Sequence, residues 1–172
     1  MKCLLHLTGS FFVNKVKLQT CIANSIVIRI FAKKMLRIGV IGAGHLGKIH
    51  LKCIREIPEF ELVGFYDLDA ETCKQVAQEF AVRAFHDPDS LIDEVDVVDI
   101  VTPTVAHYDC AMKALKKFRH VFIEKPIVTT LDEAKKLISI SKEADVKIQV
   151  GHVERFNPAY TAVRESIRQP MF

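Results

Sequence analysis

The stretch Leu36-Arg-Ile-Gly-Val-Ile-Gly-Ala-Gly-His-Leu-Gly47 decides the fold of this 172-residue chain. Its first half, Leu36 to Ile41, is a short apolar run of strand character. Its second half spaces Gly42, Gly44 and Gly47 as GxGxxG. From about His45 to Glu56 the pattern is helical, with Leu46, Ile49, Cys53 and Ile54 on one face and Pro58 ending it. Three neighbouring glycines alone are a weak signal, but here they join the end of a strand to the start of a helix.

Outward from that unit, strands and helices alternate. Glu61 to Asp67 reads as the second strand, and Asp69 as the N-cap of a helix running to about Phe80. A short strand, Val82 to Phe85, precedes a turn at Asp87-Pro88-Asp89-Ser90. Val95 to Val101 is nearly all apolar apart from Asp96 and Asp99, as suits a central strand. A helix from about Val105 to Lys117 leads to strand His120 to Glu124. Thr130-Leu-Asp-Glu133 is a capping box whose helix turns Ala134, Leu137, Ile138 and Ser141 inward. Val146 to Val150 is the sixth strand, and Asn157-Pro158 opens a last helix. This alternation predicts an α/β fold, a doubly wound parallel sheet of Rossmann type in the order 3-2-1-4-5-6.

In such a fold the glycine turn binds the pyrophosphate of a dinucleotide. Gly42 makes the tight turn, Gly44 lets the backbone approach the phosphates, and Gly47 lets the helix pack closely on the sheet. His45 and Leu46, between the last two glycines, join the cofactor-binding set at the positive end of the helix. Asp67 stands 20 residues beyond Gly47, where a carboxylate accepts hydrogen bonds from the adenosine ribose. No Arg or Lys follows it among Leu68, Asp69, Ala70 and Glu71, so NAD is expected over NADP. Two further strand ends reach the same edge with polar residues: Thr102-Pro103-Thr104, followed by His107, and Glu124-Lys125-Pro126.

Taken together, Gly42 to Gly47, Asp67, Thr102-Pro103 with His107, and Glu124-Lys125-Pro126 resemble the N-terminal half of the glucose-fructose oxidoreductase / inositol dehydrogenase (Gfo/Idh/MocA) family. The resemblance runs from about Met35 to Tyr160. It implies hydride transfer between a nicotinamide cofactor and a hydroxyl of a sugar, cyclitol or nucleotide-linked sugar. It also implies that Lys125 lies beside the nicotinamide and the reacting hydroxyl as a catalytic residue, with Glu124 positioning Lys125 or the cofactor. Thr102, Pro103, His107 and Glu124 then belong to the cofactor site, and the Lys125-Pro126 bond is a candidate for the cis form. The segment Gly151-His-Val-Glu-Arg-Phe-Asn-Pro158 resembles members that oxidise the 3-position of UDP-N-acetylglucosamine. There Arg155 and Asn157 are candidate substrate contacts, although Asn157 is equally suited to be a helix cap and His152 and His107 to be structural. No metal site is expected.

The resemblance also implies a C-terminal α/β domain that this sequence does not contain, and with it the general acid/base of the usual pattern. The expected division is therefore a basic extension at 1–34, a Rossmann domain at 35–155, and the stub of a second domain at 156–172. Turnover by the chain alone is doubtful on that reading. The alternative is a non-catalytic NAD-binding module or remnant, and self-association is expected through apolar surface at the truncated edge.

Composition narrows the rest. Almost half the residues are apolar and Trp is absent. No apolar run approaches the ~20 residues of a membrane-spanning helix. The net charge of +3 arises in residues 1–34, where Lys2, Lys15, Lys17, Arg29, Lys33 and Lys34 meet no acidic residue. The remainder carries 18 basic and 21 acidic side chains, so no nucleic-acid footprint is expected. That first segment reads as an extension or a misplaced start before Met35, with a transit peptide as the other reading. Cys3, Cys21, Cys53, Cys73 and Cys110 show no metal or disulfide spacing, which points to a reducing, cytoplasmic setting. A short-chain dehydrogenase needs Tyr-x-x-x-Lys, but Ala70, Met112 and Arg164 stand four residues after Tyr66, Tyr108 and Tyr160. A methyltransferase leaves Glu124-Lys125-Pro126 unexplained.

Overall fold

The computed structural model describes residues 35–168. The expected N-terminal extension, with Cys3 and Cys21, lies outside the described residues. Five parallel strands form one sheet: β1 Leu36–Ile41, β2 Phe60–Tyr66, β3 Val97–Ile100, β4 His120–Ile123 and β5 Ile148–Val150, in the order β2-β1-β3-β4-β5. Helices α1 His45–Arg55, α2 Ala70–Phe80, α3 Pro88–Asp93, α4 Thr104–Lys116, α5 Leu131–Glu143 and α6 Pro158–Arg168 complete the chain order, with a 3-10 turn at Val153–Phe156.

The doubly wound parallel sheet is thus present, with one strand fewer than expected. Val82 to Phe85 reaches the far side of β2 but forms a single bridge, Phe65 to Ala84. Two hydrogen bonds hold it, Phe65 N–H to Arg83 O at 3.0 Å and Phe85 N–H to Phe65 O at 2.8 Å. Its place in the winding order is the expected one, while its ladder is too short to make a strand. Asp87-Pro88-Asp89-Ser90 is the start of α3 rather than a free turn: the Asp87 side chain accepts from Ser90 N–H at 2.8 Å.

Local sequence signals account for the other helix starts. Asp69 caps α2 by accepting from Thr72 N–H at 2.9 Å, and Thr130 and Glu133 form the reciprocal capping box of α5. The core lies on both faces of the sheet. Ile38, Val40, Leu51, Ile54, Phe65 and Phe122 pack in one cluster, while Ile41, Leu91, Ile100, Leu115, Ile123 and Leu137 pack in the other. Two expected inward faces are narrower than the periodicity implied. Leu46 is 44% exposed on α1 and Ile138 47% exposed on α5, whereas Leu51 and Leu137 are fully buried.

The strand ends line up along one edge. Gly42 N–H donates to Tyr66 O at 2.8 Å, Val101 N–H to Ile41 O at 2.8 Å, Glu124 N–H to Ile100 O at 3.0 Å and Gly151 N–H to Ile123 O at 2.8 Å. Because β1 is flanked by β2 and β3, the winding reverses there, which opens a crevice at the carboxyl ends of these strands.

Candidate functional site: the glycine turn and the Glu-Lys-Pro edge

The glycine turn is built by close backbone approach. Gly42 adopts φ 98°, and a Cβ there would stand 2.7 Å from Val101 O and 2.9 Å from Thr102 N. A Cβ on Gly47 would run into the Gly42 carbonyl. These two glycines therefore set the turn tightly against β3 and seat the first turn of α1 on it. Gly44 differs, since a Cβ there would meet nothing within 4 Å among the described residues. The space in front of it is open, where a phosphate needs to approach. No side chain caps α1, and its first turn carries no acidic residue. An anion at that helix end would meet backbone donors and the positive end of the dipole.

Asp67 reaches this turn from the end of β2. Its Oδ2 accepts from Ala43 N–H at 2.6 Å and its Oδ1 from Asp69 N–H at 2.9 Å. The carboxylate is thereby fixed beside the glycines with lone pairs to spare. Glycine turn, uncapped helix end and carboxylate together fit a dinucleotide.

On the other side of β1 and β3, the Lys125-Pro126 peptide is cis. His107 is 1% exposed and spans the two strand-end loops: Nδ1 lies 2.9 Å from Pro126 O and Nε2 2.9 Å from Thr102 O. Each ring nitrogen faces a main-chain carbonyl, and the one that carries the proton donates, so His107 ties the two loops together. Thr102 is half-buried and Pro103 exposed at the start of α4, beside Gly42. Lys125 is exposed, and Glu124, only 8% exposed, turns its Oε2 to the Lys125 main-chain N–H at 3.1 Å. Both line a cavity of about 280 Å³ together with Leu46, Ile49, His50, Val153 and Glu154.

Arg155 is exposed on the 3-10 turn. Asn157 serves as a cap: its Oδ1 accepts from Ala159 N–H at 3.1 Å and its Nδ2 donates to Glu154 at 2.8 Å. Its side chain joins the 3-10 turn to the start of α6, which is the capping role the sequence also allowed.

Two buried residues of the site escaped sequence reading. His50 on α1 and Asp99 in β3 are both fully buried, with His50 Nδ1 2.8 Å from Asp99 Oδ2 and Nε2 3.4 Å from Glu124 Oε1. The available signal was Asp99 itself, a carboxylate in the middle of an otherwise apolar strand. Burial works against a charged ring, but Asp99 and then Glu124 outweigh it and push His50 up from 6.5 to about 9. Burial pushes the Asp99 carboxyl up, opposed by His50.

Fold, turn and carboxylate define a dinucleotide-binding domain of the Rossmann class. Comparison with known proteins carries this further. The family model described as "Oxidoreductase family, NAD-binding Rossmann fold" matches residues 36–152. The chain is 40% identical over 131 residues to UDP-N-acetylglucosamine 3-dehydrogenase of Acidithiobacillus ferrooxidans, covering 76% of this chain and 41% of that protein. It is 35% identical over 136 residues to the scyllo-inositol 2-dehydrogenase (NAD(+)) of Bacillus subtilis, covering 77% of this chain and 40% of the other. A solved structure of the Acidithiobacillus ferrooxidans enzyme superposes with a TM-score of 0.73 at 39% identity, over 78% of this chain and 44% of that one. The chain belongs to the Gfo/Idh/MocA oxidoreductase family and carries its NAD(P)-binding Rossmann domain. It spans about 40% of the length of these curated relatives. Among the described residues no helix is long and apolar enough to cross a membrane.

Proposed function

We propose that this domain binds NAD in preference to NADP and serves hydride transfer between the nicotinamide and a hydroxyl of a sugar or nucleotide-linked sugar. The observation that carries the cofactor preference is the Asp67 carboxylate, held 2.6 Å from Ala43 N at the glycine turn. A 2′-phosphate would bring like charge against it. Two unit charges ~4 Å apart at an effective dielectric of about 20 repel by roughly 4 kcal/mol before salt screening. Leu68, Asp69, Ala70 and Glu71 supply no cation to relieve that repulsion. The Bacillus subtilis relative, by its name, uses NAD(+).

In this reading Gly42, Gly44, His45, Leu46 and Gly47 receive the pyrophosphate, and Thr102 and Pro103 border the nicotinamide half. Lys125 is the catalytic candidate. An exposed ammonium at the cavity wall stabilises negative charge developing on a substrate oxygen and orients it. Glu124 fixes the main chain of Lys125 through its 3.1 Å hydrogen bond, and Arg155 is left as an exposed cation for a substrate. The substrate class rests on relatives whose names specify a nucleotide sugar and a cyclitol. A reducing, cytoplasmic setting belongs to the same reading, since the spacing of the five cysteines suits neither a metal site nor a disulfide framework.

The test is separate titration of NADH and NADPH into the purified chain, followed by nicotinamide fluorescence, with Asp67→Ala alongside. NADH is expected to bind more tightly, and the gap to narrow in the variant. Equal or tighter binding of NADPH by the folded parent chain would overturn the preference. Absence of binding by either would overturn the cofactor reading.

A further inference from the structure

His50 stands between two carboxylates in a place where water is excluded. Its ring is fully buried, with Phe122 packed beside it at a centroid distance of 6.1 Å. Asp99 Oδ2 lies 2.8 Å from Nδ1, while neither the other Asp99 oxygen nor His50 Nε2 has a hydrogen-bond partner among the described residues. Glu124 Oε1 lies 3.4 Å from Nε2. Glu124 is confined from its remaining sides as well. Its Oε2 accepts from the Lys125 main chain at 3.1 Å, and a Cβ at Gly151 would stand only 2.8 Å from Oε1.

A neutral imidazole has one N–H and one lone pair. Facing Asp99 and Glu124, it would satisfy one carboxylate and turn its lone pair on the other. An imidazolium donates to Asp99 and turns its second N–H toward Glu124 at ion-pair distance, which places one cation between two buried carboxylates. The charged groups around the ring are Asp99 from β3 and Glu124 from the end of β4, with Lys125 and Glu154 on the wall of the same cavity.

We propose that His50 is a positioning residue: a buried cation, anchored on Asp99, that fixes the Glu124 carboxylate at the wall of the cavity beside Lys125. This rests on the reading of Glu124 and Lys125 as site residues. His50 touches no substrate in this role. It acts through Glu124, which in turn holds the main chain from which the Lys125 ammonium projects. The site would then present a fixed carboxylate next to an exposed ammonium, an arrangement that orients a neutral hydroxyl or carbonyl substrate by paired donor and acceptor.

The experiment is nitrogen NMR of the full chain with isotope-labelled histidine, His50 being assigned from the signal lost in His50→Gln. At pH 7.5 both ring nitrogens of His50 are expected in the protonated form, with proton loss near pH 9. In Glu124→Gln that loss is expected at lower pH, by about one unit, a tenfold fall in proton affinity. A residue that merely fills space would not respond to Glu124→Gln in this way. NADH affinity is measured on the same samples, and His50→Gln is expected to weaken it while the far-UV spectrum stays that of the parent. A neutral His50 at pH 7.5 overturns the proposal, as does a titration unmoved by Glu124→Gln. Equal NADH affinity of parent and folded His50→Gln overturns it too. Should the parent bind no NADH while the ring titrates as expected, the cofactor reading fails and the His50–Glu124 pairing stands on its own.

Discussion

Gly44 and Gly47 lie three residues apart in one motif, yet replacing each by alanine should damage different properties. At Gly47 the new Cβ collides with the Gly42 carbonyl, and its second neighbour, Gly42 C at 2.8 Å, is also backbone. No side chain can rotate away, so the first turn of α1 must lift from the glycine turn. Overpacking of this kind costs about 1–3 kcal/mol, occasionally more, and a purely backbone obstacle argues for the upper end. Alanine regains up to about 1 kcal/mol of helix propensity, which leaves a net loss of roughly 2 kcal/mol. For a chain of this size that lowers Tm by about 4–8 °C. At Gly44 the Cβ meets nothing within 4 Å, and the residue already sits at φ −63°, which alanine adopts readily. The stability cost is that of a poorer N-cap, about 0.5–1 kcal/mol. The methyl group instead occupies the space a phosphate needs. Losing one hydrogen bond to a charged group costs about 1.5–3 kcal/mol, or roughly 10- to 150-fold in NADH affinity. Calorimetric melting and fluorescence titration of both variants separate the two effects. If Gly44→Ala binds NADH as the parent does, or Gly47→Ala melts at the parent's temperature, the assignment of roles within the turn is wrong.

Three further outcomes follow from named contacts. Lys125 is exposed, so Lys125→Ala should leave stability within about 0.5 kcal/mol and Tm almost unmoved, while any hydride transfer the protein supports is lost. His50 has its proton affinity raised in the fold, so its stabilising contribution is complete below pH 6.5 and is lost as the pH rises through about 9. The chain should therefore melt at falling temperature between those values, and Glu124→Gln should flatten the slope. His120 behaves oppositely: it is half-buried with its proton affinity lowered by burial and then by Lys147, and its Nδ1 accepts from Lys147 N–H at 3.0 Å. Its contribution is present above pH 6.5 and lost on acidification, which faster hydrogen exchange at the Lys147 amide would report.

The parts of this structure that were legible in the sequence are those written in local chemistry. The strand, glycine spacing and helix around Gly42, the caps at Asp69 and Thr130, and the alternation that sets a parallel sheet all depend on residues close in the chain. Where two distant segments decide the outcome, the pattern fell short. Val82 to Phe85 has strand composition, yet whether it extends a ladder depends on how far β2 runs beside it, and only one bridge forms. Periodicity put Leu46 in the core because it marks a helix face without saying whether that face meets the sheet or a cavity. His107 and Asn157 were left with two roles open for a related reason. Their polar atoms suit a ligand or a main-chain partner equally, and only the fold brings Thr102 O and Pro126 O to the one and Ala159 N to the other. His50 and Asp99, 49 residues apart, become a pair only when α1 packs on the sheet.

The crevice edge divides into residues that hold it together and residues that face outward from it. Gly42 abuts Val101 and Thr102, Gly47 abuts Gly42, and Gly151 abuts the Glu124 carboxylate. Gly42 and Gly151 each bring two neighbouring strand ends together and Gly47 seats α1 on the glycine turn, all by lacking a side chain, so a substitution there disturbs the frame before it disturbs a ligand. Gly151→Ala is the sharpest case, since its Cβ would press on Glu124 Oε1 at 2.8 Å and loosen the contact with His50. Its expected signature is a drop in the pH at which His50 releases its proton, with NADH affinity lowered in step. Gly44 and Lys125 face the open side instead, and a change at either should leave the sheet standing. A variant set that failed to divide along this line, with Lys125→Ala unfolding the chain or Gly151→Ala leaving His50 untouched, would mean that the edge is not the shared framework its geometry describes.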